Sequence, residues 1–173
     1  MVRTMMAWLV VFSAASVALA ADSPGAGDPA RVVGVKATTA MFLKPDAVAV
    51  GALVAKDAEA AYYKPGDDVR AKIVDELRRE GDEMAKSVSV REIVFFIDED
   101  LRDLKKRFPG LRMWDENRLP KRLGRNLGCL IVSERLEKRK DEIRYRLDAL
   151  VIREIEGDYK LVYFDYDKIT LPR

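Results

Sequence analysis

Residues 141–166 read DEIRYRLDALVIREIEGDYKLVYFDY. Regular alternation of apolar and charged residues through most of this length predicts strands rather than helix. Ile143, Tyr145, Leu147, Ala149, Val151 and Ile155 share one face, and Arg144, Arg146, Asp148 and Glu154 share the other. Leu150 and Ile152 break into the charged face at its middle. A face wholly open to water has no need of them, so its centre is expected to be covered by the protein's own helices, a partner subunit or a ligand. Glu156-Gly157-Asp158 is a turn, with Gly157 placed for a positive φ. A second strand then runs from Tyr159 to about Tyr166, with Ile169 and Leu171 as its extension.

Upstream, Leu127–Leu136 is a further strand, joined through the turn EKRKD at 137–141, so the C-terminal part of the chain forms an antiparallel meander. Ser87–Ile97, rich in β-branched and aromatic residues, is another strand. Between it and the meander, Leu101, Leu104 and Phe108 at helical spacing predict a short helix stopped by Pro109-Gly110. Leu111–Asn126, LRMWDENRLPKRLGRN, lacks periodicity and reads as a loop with at most one helical turn. Val69, Ile73, Leu77 and Met84 mark the clearest helix, with Asp67 as its cap and Lys72–Glu76, Asp75–Arg79 and Arg78–Asp82 as i,i+4 pairs. Asp46 can cap a helix over AVAVGALVAKDAEAAYY, which its alanines favour, although Val48, Val50 and Gly51 would also sit in a strand. RVVGVKATTAMFLKP is ambiguous, since Val32, Val33 and Val35 can begin a strand that Pro45 ends.

Helices followed by a three-strand meander define an α+β domain, with N-terminal helices packed on a curved, mainly antiparallel sheet. This order of elements, from Asp46 to Leu171, resembles the cystatin-like cone of the nuclear-transport-factor superfamily. The resemblance implies a bent sheet around helices with a pocket between them. It implies no particular function, because that fold carries enzymes and non-catalytic modules alike.

The first twenty residues, MVRTMMAWLVVFSAASVALA, have the layout of a secretory signal peptide. Arg3 forms the basic start, Met5–Val17 the apolar run and Ala18-Leu19-Ala20 the cleavage pattern. The apolar run is shorter than the roughly 20 residues of a membrane span, although an uncleaved anchor is the alternative. Residues 21–45 are expected to be a flexible leader and lead-in, and 46–173 a single domain. Export and a single cysteine, Cys129, suit the bacterial periplasm, with no disulfide. Cys129 reads as a small buried hydrophobe.

The chain contains no histidine. Ser-His-Asp, Cys-His and imidazole-metal chemistry are thereby excluded, no metal or other cofactor is expected, and any catalysis must use carboxylate, Lys, Tyr or Ser groups. The strongest charge asymmetry is Arg102–Arg125, with nine basic residues against Asp103, Asp115 and Glu116. Arg112, Trp114, Arg118, Lys121, Arg122 and Arg125 are the candidate anion- or partner-binding residues, with Trp114 and Met113 as an apolar platform. The simpler alternative is a solvated basic surface balanced by the acidic helix 67–83. Asp165 and Asp167 project to the same side of a strand and can converge, or simply end it in water. Asp98 or Asp100 is a helix cap. The tyrosines at 62, 63, 145, 159, 163 and 166 either line a pocket or pack as core.

The leading expectation is an exported, non-catalytic module that holds an envelope protein, an anionic glycan or a lipid. Nucleic acid is disfavoured, since the whole chain carries only +2. A small cone-fold enzyme and a dimeric structural subunit, a homodimer through the sheet face, are the alternatives.

Overall fold

The protein is described by a computed structural model covering residues 28–135 and 142–172. The proposed signal peptide, residues 21–27 of the leader and the turn at 137–141 lie outside the described residues. Strand β4 (Glu142–Ile155) and strand β5 (Asp158–Pro172) pair antiparallel along their length. Their turn places both Glu156 (φ 53°) and Gly157 (φ 85°) in the left-handed region. That is the pattern of a tight hairpin whose twist matches that of the strands. Strand β3 (Leu127–Arg135) pairs with β4, and strand β2 (Val88–Phe96) pairs with β3, both antiparallel. Strand β1 (Val54–Ala60) joins β5 in parallel, which completes a sheet ordered β1-β5-β4-β3-β2. Register shifts in the β1–β5, β2–β3 and β4–β5 ladders supply bulges, the local feature that bends a sheet. The expected α+β class, helices on a mainly antiparallel sheet closed by a meander, is the one observed.

Cross-strand partners share a face, which fixes what each side of the sheet meets. Asp148 faces Tyr166, and Leu150 lies between Cys129 and Phe164. This side packs beneath helix α1 (Pro29–Thr38), helix α2 (Ala47–Leu53) and helix α3 (Val69–Ser87). A methyl group at Gly34 would stand 2.5 Å from Phe95 Cε1 and 3.2 Å from Ile152 Cδ1, so α1 lies directly on the sheet. Leu150 and Ile152 are each 1% exposed. The protein's own helix therefore covers the middle of the charged face. On the opposite side, helix α5 (Arg112–Asp115) and helix α6 (Arg118–Leu123) press against β5 and β4. Phe96 and Trp114 meet there edge-on at 6.4 Å.

Five local expectations differ from the structure. Residues 29–43 are neither strand nor leader. Asp28 caps α1 through the Ala30 amide (2.9 Å), Pro29 opens it, and a π-turn at Thr39–Leu43 continues it. The valines favoured a strand by propensity, but Ala30, Gly34, Ala37 and Thr38 form a buried stripe at helical spacing and tertiary packing decides. From Ala47 the chain is helix to Leu53, so Val48, Val50 and Gly51 are helical, but the helix stops there and the rest of the expected helix, from Val54, is strand. The cap of α3 is Asp68, whose carboxylate accepts from Ala71 N at 2.9 Å, while Asp67 binds Lys64 N and the Lys72 ammonium. The surface pairs on α3 run i,i+3, Asp75–Arg78 and Glu83–Lys86, rather than the expected i,i+4.

The largest difference lies at Leu111–Asn126. This stretch is not a loop: Leu111, Met113, Trp114, Leu119 and Leu123 are all buried, each at 2% exposure or less. The segment escapes a periodicity reading because two very short helices are broken by Asn117, which takes a left-handed φ of 53°. Helix α4 (Leu101–Arg107) precedes it as expected, and Asp100 accepts from the Ile97 amide (3.0 Å) at its entry.

Candidate functional site

Asp165 and Asp167 lie on β5, two residues apart and therefore on the face covered by α5 and α6. They are 3% and 6% exposed, so the reading of a strand end in water does not hold. Burying a carboxylate is costly unless it is paired and hydrogen-bonded. Asp167 accepts from the Met113 amide at 2.8 Å, which pins α5 to the sheet. The Tyr166 amide donates to Asp165 Oδ1 at 2.8 Å, and the Tyr163 hydroxyl donates to Oδ2 at 3.3 Å. Arg118 lies above both carboxylates, Nε 3.2 Å from Asp165 and a terminal nitrogen 3.9 Å from Asp167, with Glu116 3.4 Å from Nε. Arg112 reaches Asp167 at 3.6 Å from the solvent side. Burial holds the Asp165 carboxyl above its ordinary value, with Arg118 pulling the other way. Burial also raises the Tyr163 hydroxyl, with the Asp165 charge adding to it, so this phenol stays protonated and acts as a donor.

Over this knot lies a groove of about 720 Å³. Ala58–Ala61 and the turn 63–67 form one wall, and Glu116, Arg118, Lys121 and Arg122 form the other, with Tyr163 beneath. Arg122 pairs with Glu59 across the groove and stands 5.9 Å from the Tyr163 ring centroid. Lys64 and Lys121 have no carboxylate within ion-pair distance among the described residues, and both are exposed. A second depression of about 550 Å³ lies on the outer face of α3. Most of its charges are satisfied locally: the Tyr63 hydroxyl donates to Glu76 at 2.6 Å, Asp75 meets Arg78 and Lys72 meets Asp67, which leaves Arg79 as its one cation without an ion pair among the described residues. The groove beside α6 has two cations without an ion pair among the described residues, Lys64 and Lys121, on facing walls, and is the better candidate.

The charged face of β4 resolves differently. Arg146 clasps Asp148 through Nε at 2.8 and 2.9 Å, and its guanidinium stacks 4.5 Å from the Tyr166 ring centroid. Tyr62 packs 5.1 Å from Tyr166. Burial first, and the Asp148 charge second, push the Tyr62 hydroxyl up. This cluster binds itself.

No protein-family model matches the chain, and no curated protein is similar to it. Among the solved structures similar in fold is that of an NTF2-like protein of unknown function from Silicibacter pomeroyi, 11% identical over 82% of this chain and 93% of that one, with a TM-score of 0.42.

Of the six residues singled out in the sequence, Arg118, Lys121 and Arg122 line the groove. Arg112 and Arg125 lie outside its lining, and Trp114 is core at 2% exposure, its indole N–H donating to Phe108 O at 3.1 Å. Trp114 is therefore no surface platform. Lys106 and Arg107 are tied to Asp103 and Glu92, so much of the apparent excess charge is already compensated. Glu59 and Lys64 went unnoticed, because only the parallel pairing of β1 with β5 carries residues 58–67 to α6. Asp165 and Asp167 carried a signal, two acids at strand spacing among apolar residues, though nothing local named Arg118 as their partner. Cys129 is fully buried, and burial pushes its thiol up to about 12.

Proposed function

We propose that the chain is an exported, non-catalytic binding module that holds an anionic envelope component in the groove between β1 and α6. The observation that carries the reading is the placement of exposed Lys64 and Lys121, neither with an ion pair among the described residues, on opposite walls of one groove, with Arg118 and Arg122 between them. Cationic groups converging on a concavity raise the local concentration of anions and orient carboxylate or phosphate groups. Export rests on the layout of Met1–Ala20. Among the described residues no helix is long and apolar enough to cross a membrane. The test is retention of Lys64→Glu/Lys121→Glu on anionic liposomes at low salt. Retention is expected to fall below that of the unaltered protein, and equal retention would remove the groove from consideration.

A second reading, a small enzyme using carboxylate and tyrosine groups, draws on the raised Asp165 carboxyl and the adjacent Tyr163 hydroxyl. Asp165 does not line the groove, and its oxygens already accept from Tyr163 and Tyr166. A ligand in the groove meets Arg118 before it meets the carboxylate, which favours binding over proton transfer. The dimer reading relied on an exposed apolar strip at Leu150 and Ile152, and α1 covers both.

A further inference from the structure

The groove has a second property besides charge: one wall is the edge of the sheet. Strand β1 is terminal in the strand order, with β5 on one side only. The Ala61 amide donates to Phe164 O at 2.9 Å, which directs residue 61 towards β5. In an extended strand, successive residues aim their N–H and C=O groups to opposite sides. Ala60 therefore points outwards, and its carbonyl does accept from Tyr63 N, beyond the ladder, at 3.3 Å. The Ala60 amide is left facing the outer edge, in the stretch that lines the groove. Exposed strand edges are templates for pairing with another chain, and proteins commonly blunt them with bulky or charged side chains. Lys56 and Asp57 are exposed and charged further up the strand, but in the groove residues 58, 60 and 61 are alanine and the charge between them, Glu59, is held by Arg122, so the main chain can be approached closely at this end of β1.

We infer that the groove takes an extended acidic peptide segment of a partner protein, which adds as a strand to the edge of β1 and places carboxylates against Lys64 and Lys121. This rests on the groove reading of the preceding subsection and names its ligand class. Main-chain hydrogen bonds supply affinity in this mode, and alternate side chains supply selectivity. With every second residue of the added strand turned to one side, a sequence alternating acidic and apolar residues puts its acids on a single row. A lipid surface is the weaker fit. The exposed large apolar residues Val32, Leu43, Val48, Tyr62 and Ile97 lie outside the groove, so no apolar patch accompanies the cations.

The test uses a fluorescent peptide of alternating glutamate and valine, titrated by anisotropy into the purified chain at low salt. Two further versions are N-methylated on the odd or on the even amides. Edge addition predicts binding of the parent peptide and of one methylated version, with the other lost, because just one set of amides faces β1. It also predicts binding at least about tenfold weaker to Lys64→Glu/Lys121→Glu, both exposed positions whose exchange leaves the core intact. Equal binding of both methylated versions would overturn strand addition. If anionic liposomes retain the chain while the parent peptide does not bind, the peptide inference fails and the groove reading stands. If neither binds, both fail.

Discussion

Arg118 Nε lies 3.2 Å from Asp165 Oδ2, across the seam where α6 meets β5. Nε and one terminal nitrogen of the guanidinium are shielded from solvent without an aligned hydrogen bond among the described residues. The contact is thus an ion pair held by charge rather than by hydrogen-bond geometry. It joins the basic segment to the sheet, and its worth is best measured by removing each partner and then both. Arg118→Met leaves two buried carboxylates short of a cation, which is expected to cost about 3 kcal/mol. Adding Asp165→Asn should restore part of that loss, with a coupling of about 1–2 kcal/mol in denaturant titrations. Strict additivity would show that the two side chains do not interact.

The same pair sets a pH dependence. Asp165 is raised in the folded state, chiefly by burial, so between the ordinary aspartate range and its raised value the folded chain keeps a proton that the unfolded chain has released. Stability contributed by this group is therefore greatest at low pH and is lost as pH rises through the folded pKa. Asp165→Asn cannot titrate. Its stability relative to the unaltered protein is expected to increase with pH across that window and then to level off. The comparison cancels the exposed carboxylates Asp67 and Glu83, which are lowered by Lys72 and Lys86 and act in the opposite direction. A difference that stays flat from acid to neutral pH would mean that Asp165 is ionised normally.

These ionic contacts also mark how far the sequence could be read. The β4–β5 hairpin was legible because period-2 alternation is a local signal that pairing reinforces, and Leu150 and Ile152 announced a covering layer. What covers them was not legible. Helix α1 is built on a small-residue stripe whose meaning appears only once Phe95 and Ile152 are placed beneath it. For the same reason the basic segment looked like an open patch. Charge counted along the chain cannot show that Arg118 spends itself on Asp165 and Asp167, forty-seven and forty-nine residues away in numbering, or that Arg122 turns to Glu59. Short helices bury Leu119 and Leu123 with too few turns to display a period.

Gly34 gives a direct measure of the covering layer. A side chain there would meet the Phe95 ring at 2.5 Å and Ile152 at 3.2 Å, so α1 must lift or the ring must turn. Gly34→Ala improves helix propensity by about 1 kcal/mol, yet overpacking at such a contact costs about 1–3 kcal/mol. A net loss of stability is expected, larger still for Gly34→Val. A stabilised Gly34→Ala protein in thermal unfolding would show that α1 does not sit this close to the sheet.

Trp114 separates a binding role from a packing role for the basic segment. On the surface it would be a ligand platform whose loss weakens binding and leaves the fold unaffected. Buried against Phe96, with its indole N–H given to Phe108 O, it is part of what holds α5 on the sheet. Trp114→Ala is accordingly expected to destabilise the chain by about 3–5 kcal/mol. Trp114→Phe keeps most of the apolar contact but leaves the Phe108 carbonyl without its donor, so it should cost about 1–2 kcal/mol. Equilibrium unfolding in urea, followed by far-ultraviolet circular dichroism, reads both variants without relying on the indole. Near-native stability of Trp114→Ala would place the side chain back on the surface and restore it as a candidate ligand contact.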